Sequence, residues 1–177
     1  MNNTIKELYE RQSVRIYTNK EISKEDKELI INSAVQAPSA GNMQLYSIID
    51  VTNQEIKNKL AILCDNQPFI ASAKMVLIFC ADYEKWFKAF SSISSEVRKL
   101  GMGDLLLSME DAIIAAQNSV VAAWSLGIGS CYIGDIMENH EEVVNLLNLP
   151  EHVYPACMVV YGYTDYDHIM KNKPSRV

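Results

Sequence analysis

Apolar positions along this chain follow two rhythms, one helical and one extended. In residues 4–12, Ile5, Leu8, Tyr9 and Gln12 recur at helical spacing and predict a short helix. "VRIYTNKEI" then breaks into irregular or extended chain. Ser23 is a favourable N-cap with Asp26 three residues on, a weak capping box. The helix it opens runs to Ala37, with Leu29, Ile30, Ala34 and Val35 expected inward, and Pro38 stops it. "YSIIDV" is rich in β-branched residues and predicts a strand. Residues 53–64 follow as a helix with Ile56, Leu60 and Leu63 on one face, and "DNQPFIASA" as a loop with a helical turn.

"MVLIFCA" is an unbroken apolar run, the pattern of a strand buried on both faces. Residues 83–99 read as helical or mobile. A long helix spans 104–126 and ends at Gly127, a C′ residue. "SCYIG" is a short strand, Asn139 opens a helix over 139–148, and "PACMVVYGY" is another buried strand. No repeat or linker interrupts the order, so the expectation is one α+β domain over 1–177, built on a central sheet flanked by helices.

Composition narrows the possibilities. Hydrophobic residues make up 49% of the 177 and charged residues 21%, and the net charge of -6 gives nucleic-acid binding little support. The N-terminus "MNNTIKELYERQ" lacks the apolar core of a secretory signal. The most apolar stretch, 104–126, carries Asp104, Glu110, Asp111, Gln117 and Asn118, which favours a core helix over a membrane span. A cytoplasmic protein is expected. Cys64, Cys80, Cys131 and Cys157 form no C-x-x-C pair and sit in apolar contexts, as reduced buried thiols do. His140, His152 and His168 show no metal-ligand spacing, and no metal site is expected.

Four segments carry candidate chemistry. In "YERQSVRIY", Arg11, Ser13 and Arg15 fall where helix gives way to extended chain, so residues two apart share a direction. Two guanidiniums and a hydroxyl then converge on an anion such as phosphate, unless they are merely a solvated surface set. In "QAPSAGNMQ", Ser39, Ala40 and Gly41 have little bulk and Asn42 and Gln44 offer amides, although a plain helix-to-strand connection favours the same residues. It is not a P-loop, because no Lys follows the glycine at the required spacing. "LGIGSCYIGDI" has its helix before the glycines rather than after, which disfavours a Rossmann site and leaves helix termination, a tight turn or a close approach of backbone. The tail "KNKPSR" adds Lys171, Lys173 and Arg176, as anion ligands or as a solvated end.

Taken in order, these segments resemble the FMN-dependent nitroreductase family. "RQSVRIY" resembles the family's opening R-R-S-x-R-x-F/Y, and "APSAGNMQLYSIIDV" is similar to its A-P-S-x-x-N-x-Q-P-W segment and following strand. "DAIIAAQNSVVAAWSLGIGSCYIG" resembles its core helix and glycine turn, and "KPSR" its C-terminal basic motif. The resemblance implies a nitroreductase-like α+β fold with a mostly antiparallel sheet, forming an intertwined homodimer with FMN at the interface. It implies that Arg11, Ser13 and Arg176, with Gln12 and Lys173 beside them, hold the phosphate and ribityl end. Arg15 would sit at the N1/O2 edge of the flavin. Pro38, Ser39, Asn42 and Gln44 would reach it from the partner subunit. Asn66 or Gln67 would meet the pyrimidine ring, and Tyr132, Ile133 and Gly134 would lie against the flavin.

The implied activity is transfer of reducing equivalents from NAD(P)H through FMN to a small acceptor such as a nitroaromatic or quinone, in ping-pong order. The chemistry belongs to the cofactor, so no protein catalytic residue is expected. Related readings are a flavin-dependent dehalogenase-type enzyme and a flavin-binding sensor or reservoir without turnover. Departures from the family pattern are Gln12 for the usual second arginine, Leu45–Tyr46 for the usual Pro-Trp, and a chain that stops one residue after Arg176. Residues 84–103 are expected to cover the site, with Trp86, Phe87 and Phe90 facing substrate or the core.

Overall fold

Met75–Asp82 (β2) is buried at all eight positions, so both faces of this strand must be covered. The computed structural model, which describes residues 1–165, shows how. A sheet of four strands runs β1-β2-β4-β3, where β1 is Tyr46–Asp50, β3 is Gly129–Ile133 and β4 is Val153–Gly162. Each of its three pairings is antiparallel. On one face Met75, Leu77, Phe79, Val159 and Tyr161 pack with α2 (Lys24–Val35) and α6 (Met102–Ser125). On the other, Val76, Ile78, Met158, Val160 and Cys131 meet Leu60 of α3 (Gln54–Leu63), Ile70 of α4 (Pro68–Ser72) and Val143 of α7 (His140–Leu147). Fully burying side chains of this size stabilises by about 1.5–3 kcal/mol each before entropy is counted. Pro155 fits inside β4 because the register with β2 shifts there: Phe79 pairs with Cys157 and Cys80 with Pro155, leaving Ala156 bulged.

Local signals set the helix ends. Ser23 Oγ accepts the Asp26 N–H at 3.0 Å, and Gly127 ends α6 at φ 74°. α2 buries Ile30 and Ala34, a narrow i, i+4 stripe, while Leu29 and Val35, expected inward, are 53% and 48% exposed. The helix meets α6 along one line only, so residues flanking that line stay in solvent. α1 (Asn3–Glu10) likewise buries no residue, leaving Ile5, Leu8 and Tyr9 exposed. Residues 84–93 form a helix, α5 (Glu84–Ile93), that follows β2 directly.

α6 is long and apolar enough to cross a membrane by composition, but its polar side chains are satisfied inside the protein. Ser119 Oγ lies 2.7 Å from the Tyr161 hydroxyl, and Ser108 Oγ donates to the Asp104 carbonyl at 2.7 Å. Arg98 holds the Asp104 carboxylate in two hydrogen bonds and lowers its pKa below the usual carboxylate range. The core-helix reading holds for one side of α6 only. Leu106, Leu107, Ile113 and Ile114 are exposed, and their seven-residue spacing sets them on one flank with Met102.

Glycine has a specific task where residues 13–17 cross the sheet edge. A Cβ on Gly129 would come within 2.7 Å of Val14 Cβ, and one on Gly162 within 2.6 Å of the Tyr17 ring. Val14 N–H donates to the Ser130 carbonyl at 2.9 Å, and Tyr17 OH donates to the Val14 carbonyl at 2.7 Å. Gly129→Ala is therefore expected to destabilise the protein by about 1–3 kcal/mol, as overpacking does, read as a lower midpoint in urea unfolding.

Candidate functional site

Alternation in the segment after α1 is what presents the arginines. Val14 is buried at 4%, while Ser13 and Arg15 on either side are exposed and Arg11 is half-buried. Ser13 pairs in parallel with Ser130, an isolated bridge that pins the segment to the β3 edge. Arg15, Ser13 and Arg11 all stand close enough to the Cys131 thiol to act on it electrostatically. Burial pushes the Cys131 thiol up, and Arg15, Ser13 and Arg11 pull against that shift. The three side chains singled out in the sequence thus converge on one end of β3. Gln12, half-buried, stands between them.

Two further segments arrive at the same place. The Arg15 guanidinium lies 5.9 Å from the centre of the Phe69 ring in α4. Gln67 is the N-cap residue of α4, and its Nε2 donates to the Cys64 carbonyl at 2.8 Å and to the Asp135 carboxylate through a short hydrogen bond. Both amide protons are therefore used within the chain, which leaves the Gln67 carbonyl oxygen as the acceptor it can offer. Asn66, at φ 51°, is exposed beside it. Asp135 follows Gly134, where an added Cβ would meet nothing within 4 Å, so the surface over that residue is open. Ile133 is 2% exposed in the core, and only its backbone can serve a ligand. Tyr132 points to the opposite sheet face, its hydroxyl donating to Gln117 Oε1 at 3.4 Å.

The loop 38–45 is built with equal care, but elsewhere. Pro38 and Asn42 are exposed, and Gly41, Asn42 and Gln44 adopt φ of 56°, 57° and 45°. Ser39 Oγ accepts the Gln44 N–H at 3.1 Å, and Gln44 Nε2 donates to Asn42 Oδ1 at 2.8 Å. The buried Asp111 carboxylate of α6 accepts the Ala40 N–H at 2.9 Å and the Leu45 N–H at 3.1 Å. From α5, Trp86 Nε1 donates to the Met43 carbonyl and Lys85 Nζ to the Tyr46 carbonyl, both at 2.8 Å. A cleft of about 280 Å³ opens at this end of the sheet, between Tyr83, Tyr154, His152, Leu105 and Ser108.

The sheet keeps the two groups apart. The loop leads into Tyr46, which pairs with Ala81, whereas Ser130 lies level with Tyr161 and Met75. Met75 to Ala81 is six residues along β2, about 20 Å, and β1 is three strand spacings from β3, about 14 Å. The arginines and the loop therefore stand at diagonally opposite corners, roughly 25 Å apart. Lys171, Lys173 and Arg176 lie outside the described residues.

Asp135, Phe69 and Asp111 contact the candidate residues, and the sequence did not single them out. Asp135 stands next to the flagged Gly134, which was a usable signal. Asp111 had a subtler one: a carboxylate within an apolar helix needs a partner. Among the described residues no group of three His, Cys, Asp or Glu is placed to hold a metal ion. The donors at β3, two guanidiniums and a hydroxyl near Cys131, fit a phosphate-bearing cofactor.

Comparison with known proteins agrees with that chemistry. The sequence pattern of the Nitroreductase family matches residues 8–163. The chain is 33% identical over 165 residues to the FMN reductase (NADPH) of Bacillus subtilis, covering 92% of this chain and 66% of that protein. It is 34% identical over 164 residues to the oxygen-insensitive NADPH nitroreductase of Salmonella typhimurium, again covering 92% and 66%. It thus spans about two thirds of the length of these curated relatives. The solved structure of B. megaterium NfrA2 superposes with a TM-score of 0.91 at 37% identity, covering 99% of this chain and 71% of that one. The family match runs unbroken through the arginine segment, the loop, Gln67 and the β3 turn, so the chain belongs to the nitroreductase family.

Proposed function

We propose that this protein is an FMN-dependent oxidoreductase that passes reducing equivalents from NAD(P)H to a small acceptor such as a nitroaromatic or quinone, in ping-pong order, as a homodimer. The observation that carries the reading is the convergence of Arg11, Ser13 and Arg15 on Cys131 at the β3 edge, with Arg15 against Phe69 of the helix that Gln67 caps. Relatives named for reducing FMN and nitro compounds support it.

Bound FMN supplies the hydride chemistry, so the chain needs no nucleophile of its own. Arg11 and Ser13 hold the phosphate through charge-assisted hydrogen bonds. Arg15 sets a fixed positive charge against the ring, which favours its reduced state. The Gln67 carbonyl oxygen accepts a ring N–H, and the open surface at Gly134 lets the ring lie against backbone. Asn42 and Gln44 reach the ring from the partner subunit. α5 sits over this loop, with Trp86 and Phe90 forming a tilted pair 5.8 Å apart and Phe90 exposed, so that the acceptor packs against it. Phe87 is instead held edge-on to His152 at 5.2 Å.

Two features support the homodimer. One chain cannot bring its own loop and arginines around a single ring across roughly 25 Å. The flank of α6 formed by Leu106, Leu107, Ile113 and Ile114 is an apolar stripe that a second copy would cover. Residues 1–177 act as one unit, and the four free, buried cysteines fit a reducing cytoplasm.

The purified protein is expected to be yellow, to show a flavin absorption spectrum and to oxidise NAD(P)H when offered nitro compounds, quinones, haloaromatics or free flavin in a steady-state panel. A colourless protein that fails to take up added FMN would overturn the proposal, and bound FMN that resists millimolar NADH and NADPH would make it a binding protein. Arg11→Ala is expected to weaken FMN binding by about 1.5–3 kcal/mol, tenfold to a hundredfold in Kd, measured by fluorescence titration. Ile113→Asp sets a charge in the proposed interface; sedimentation should show monomers, with FMN lost in parallel.

A further inference from the structure

We infer that Asp111 is the positioning residue of the flavin loop, an inference that rests on the flavin reading above. Asp111 is 3% exposed in the middle of α6, where a carboxylate is costly unless hydrogen bonds replace its water. Its two oxygens are used separately, Oδ1 for the Ala40 N–H and Oδ2 for the Leu45 N–H. Those two residues bracket Gly41, Asn42 and Gln44, the positions at positive φ. One carboxylate thus closes both ends of a segment whose backbone is locally unfavourable, and the segment keeps that shape only while its surroundings hold it.

The inner bonds of the loop depend on the same closure. Ser39 Oγ meets the Gln44 N–H, and Gln44 Nε2 meets Asn42 Oδ1, only if the chain returns on itself between Ala40 and Leu45. Trp86 and Lys85 fasten the outer side at Met43 and Tyr46. Neither supplies an acceptor to the two N–H groups, so the carboxylate has no substitute among these contacts. Asp111 touches neither ring nor acceptor. It acts through the loop, fixing where Asn42 and Gln44 stand when they meet the flavin of the other subunit.

Asp111→Asn keeps the shape and one acceptor oxygen but turns an NH2 toward one of the loop N–H groups. In the dimer its FMN Kd should rise about tenfold or more, and the bound-flavin absorption bands should move toward those of free FMN. Amide exchange at Ala40 and Leu45 in the protein without FMN should speed up by a similar factor. Ser119→Ala, elsewhere in α6, serves as the control for plain loss of stability: it should lower Tm while leaving Kd and spectrum unchanged. Ala40→Pro keeps the carboxylate and removes one donor at the first position of a helical turn, where proline fits. It should weaken FMN in the same direction, non-additively with Asp111→Asn. Should Asp111→Asn fail to fold, Ala40→Pro carries the test alone. Wild-type Kd and spectrum in Asp111→Asn, unchanged exchange at Ala40 and Leu45, or an equal flavin effect from Ser119→Ala would each overturn the inference. Wild-type protein that takes up no FMN sinks the flavin reading and the positioning role with it, whatever the exchange shows.

Discussion

Strand order is the constraint on which the rest of this structure depends. The order β1-β2-β4-β3 puts the strand that follows the loop and the strand that receives the arginines on opposite edges. β2 is buried at every position and β4 at all but Tyr154, so the two strands hold the edges apart as parts of the core. In the proposed reading, a single polypeptide therefore carries two half-sites that cannot meet. Their chemistry is complementary: cations and a hydroxyl at one corner, amides and open backbone at the other. In the proposed homodimer, two copies related by a two-fold axis solve the geometry twice, because each supplies the half the other lacks.

α6 ties those halves to the core. Its inner side is a run of small residues, Ala112, Ala115, Ala116 and Ala123, which lets the helix lie close to the sheet. That closeness is what brings the Asp111 carboxylate within reach of a loop some seventy residues earlier in sequence. Its outer flank is apolar and exposed. In the proposed dimer one helix then sets both the interface and the loop that crosses it, so a shift of the subunits is felt at the ring.

The sequence was most legible where one physical demand acted alone. "MVLIFCA" had to be a strand covered on both faces, and it is. Arg11, Ser13 and Arg15 were legible because alternation in extended chain leaves little choice of direction. Leu29 and Val35 misled because helical periodicity reports an apolar face without saying what covers it, and both side chains stand exposed. Gln67 was found, but not its use: its amide is engaged by Asp135, a pairing across 68 positions that no local pattern encodes. Asp111 was noticed only as a polar residue against a membrane span. Its role comes from a long-range contact, and long-range contacts are what periodicity cannot see.

Charge connects the cofactor to the assembly. Arg11 and Arg15 both act on the Cys131 thiol at β3, and in the proposed site they face the phosphate of the cofactor. A ligand that binds only the native state stabilises it by about 2.7 kcal/mol at a hundred times Kd. In the proposed assembly the ligand touches both subunits, so the same free energy appears as tighter association, and association in turn tightens the ligand. In that assembly, cofactor binding and dimer formation are two readings of one equilibrium.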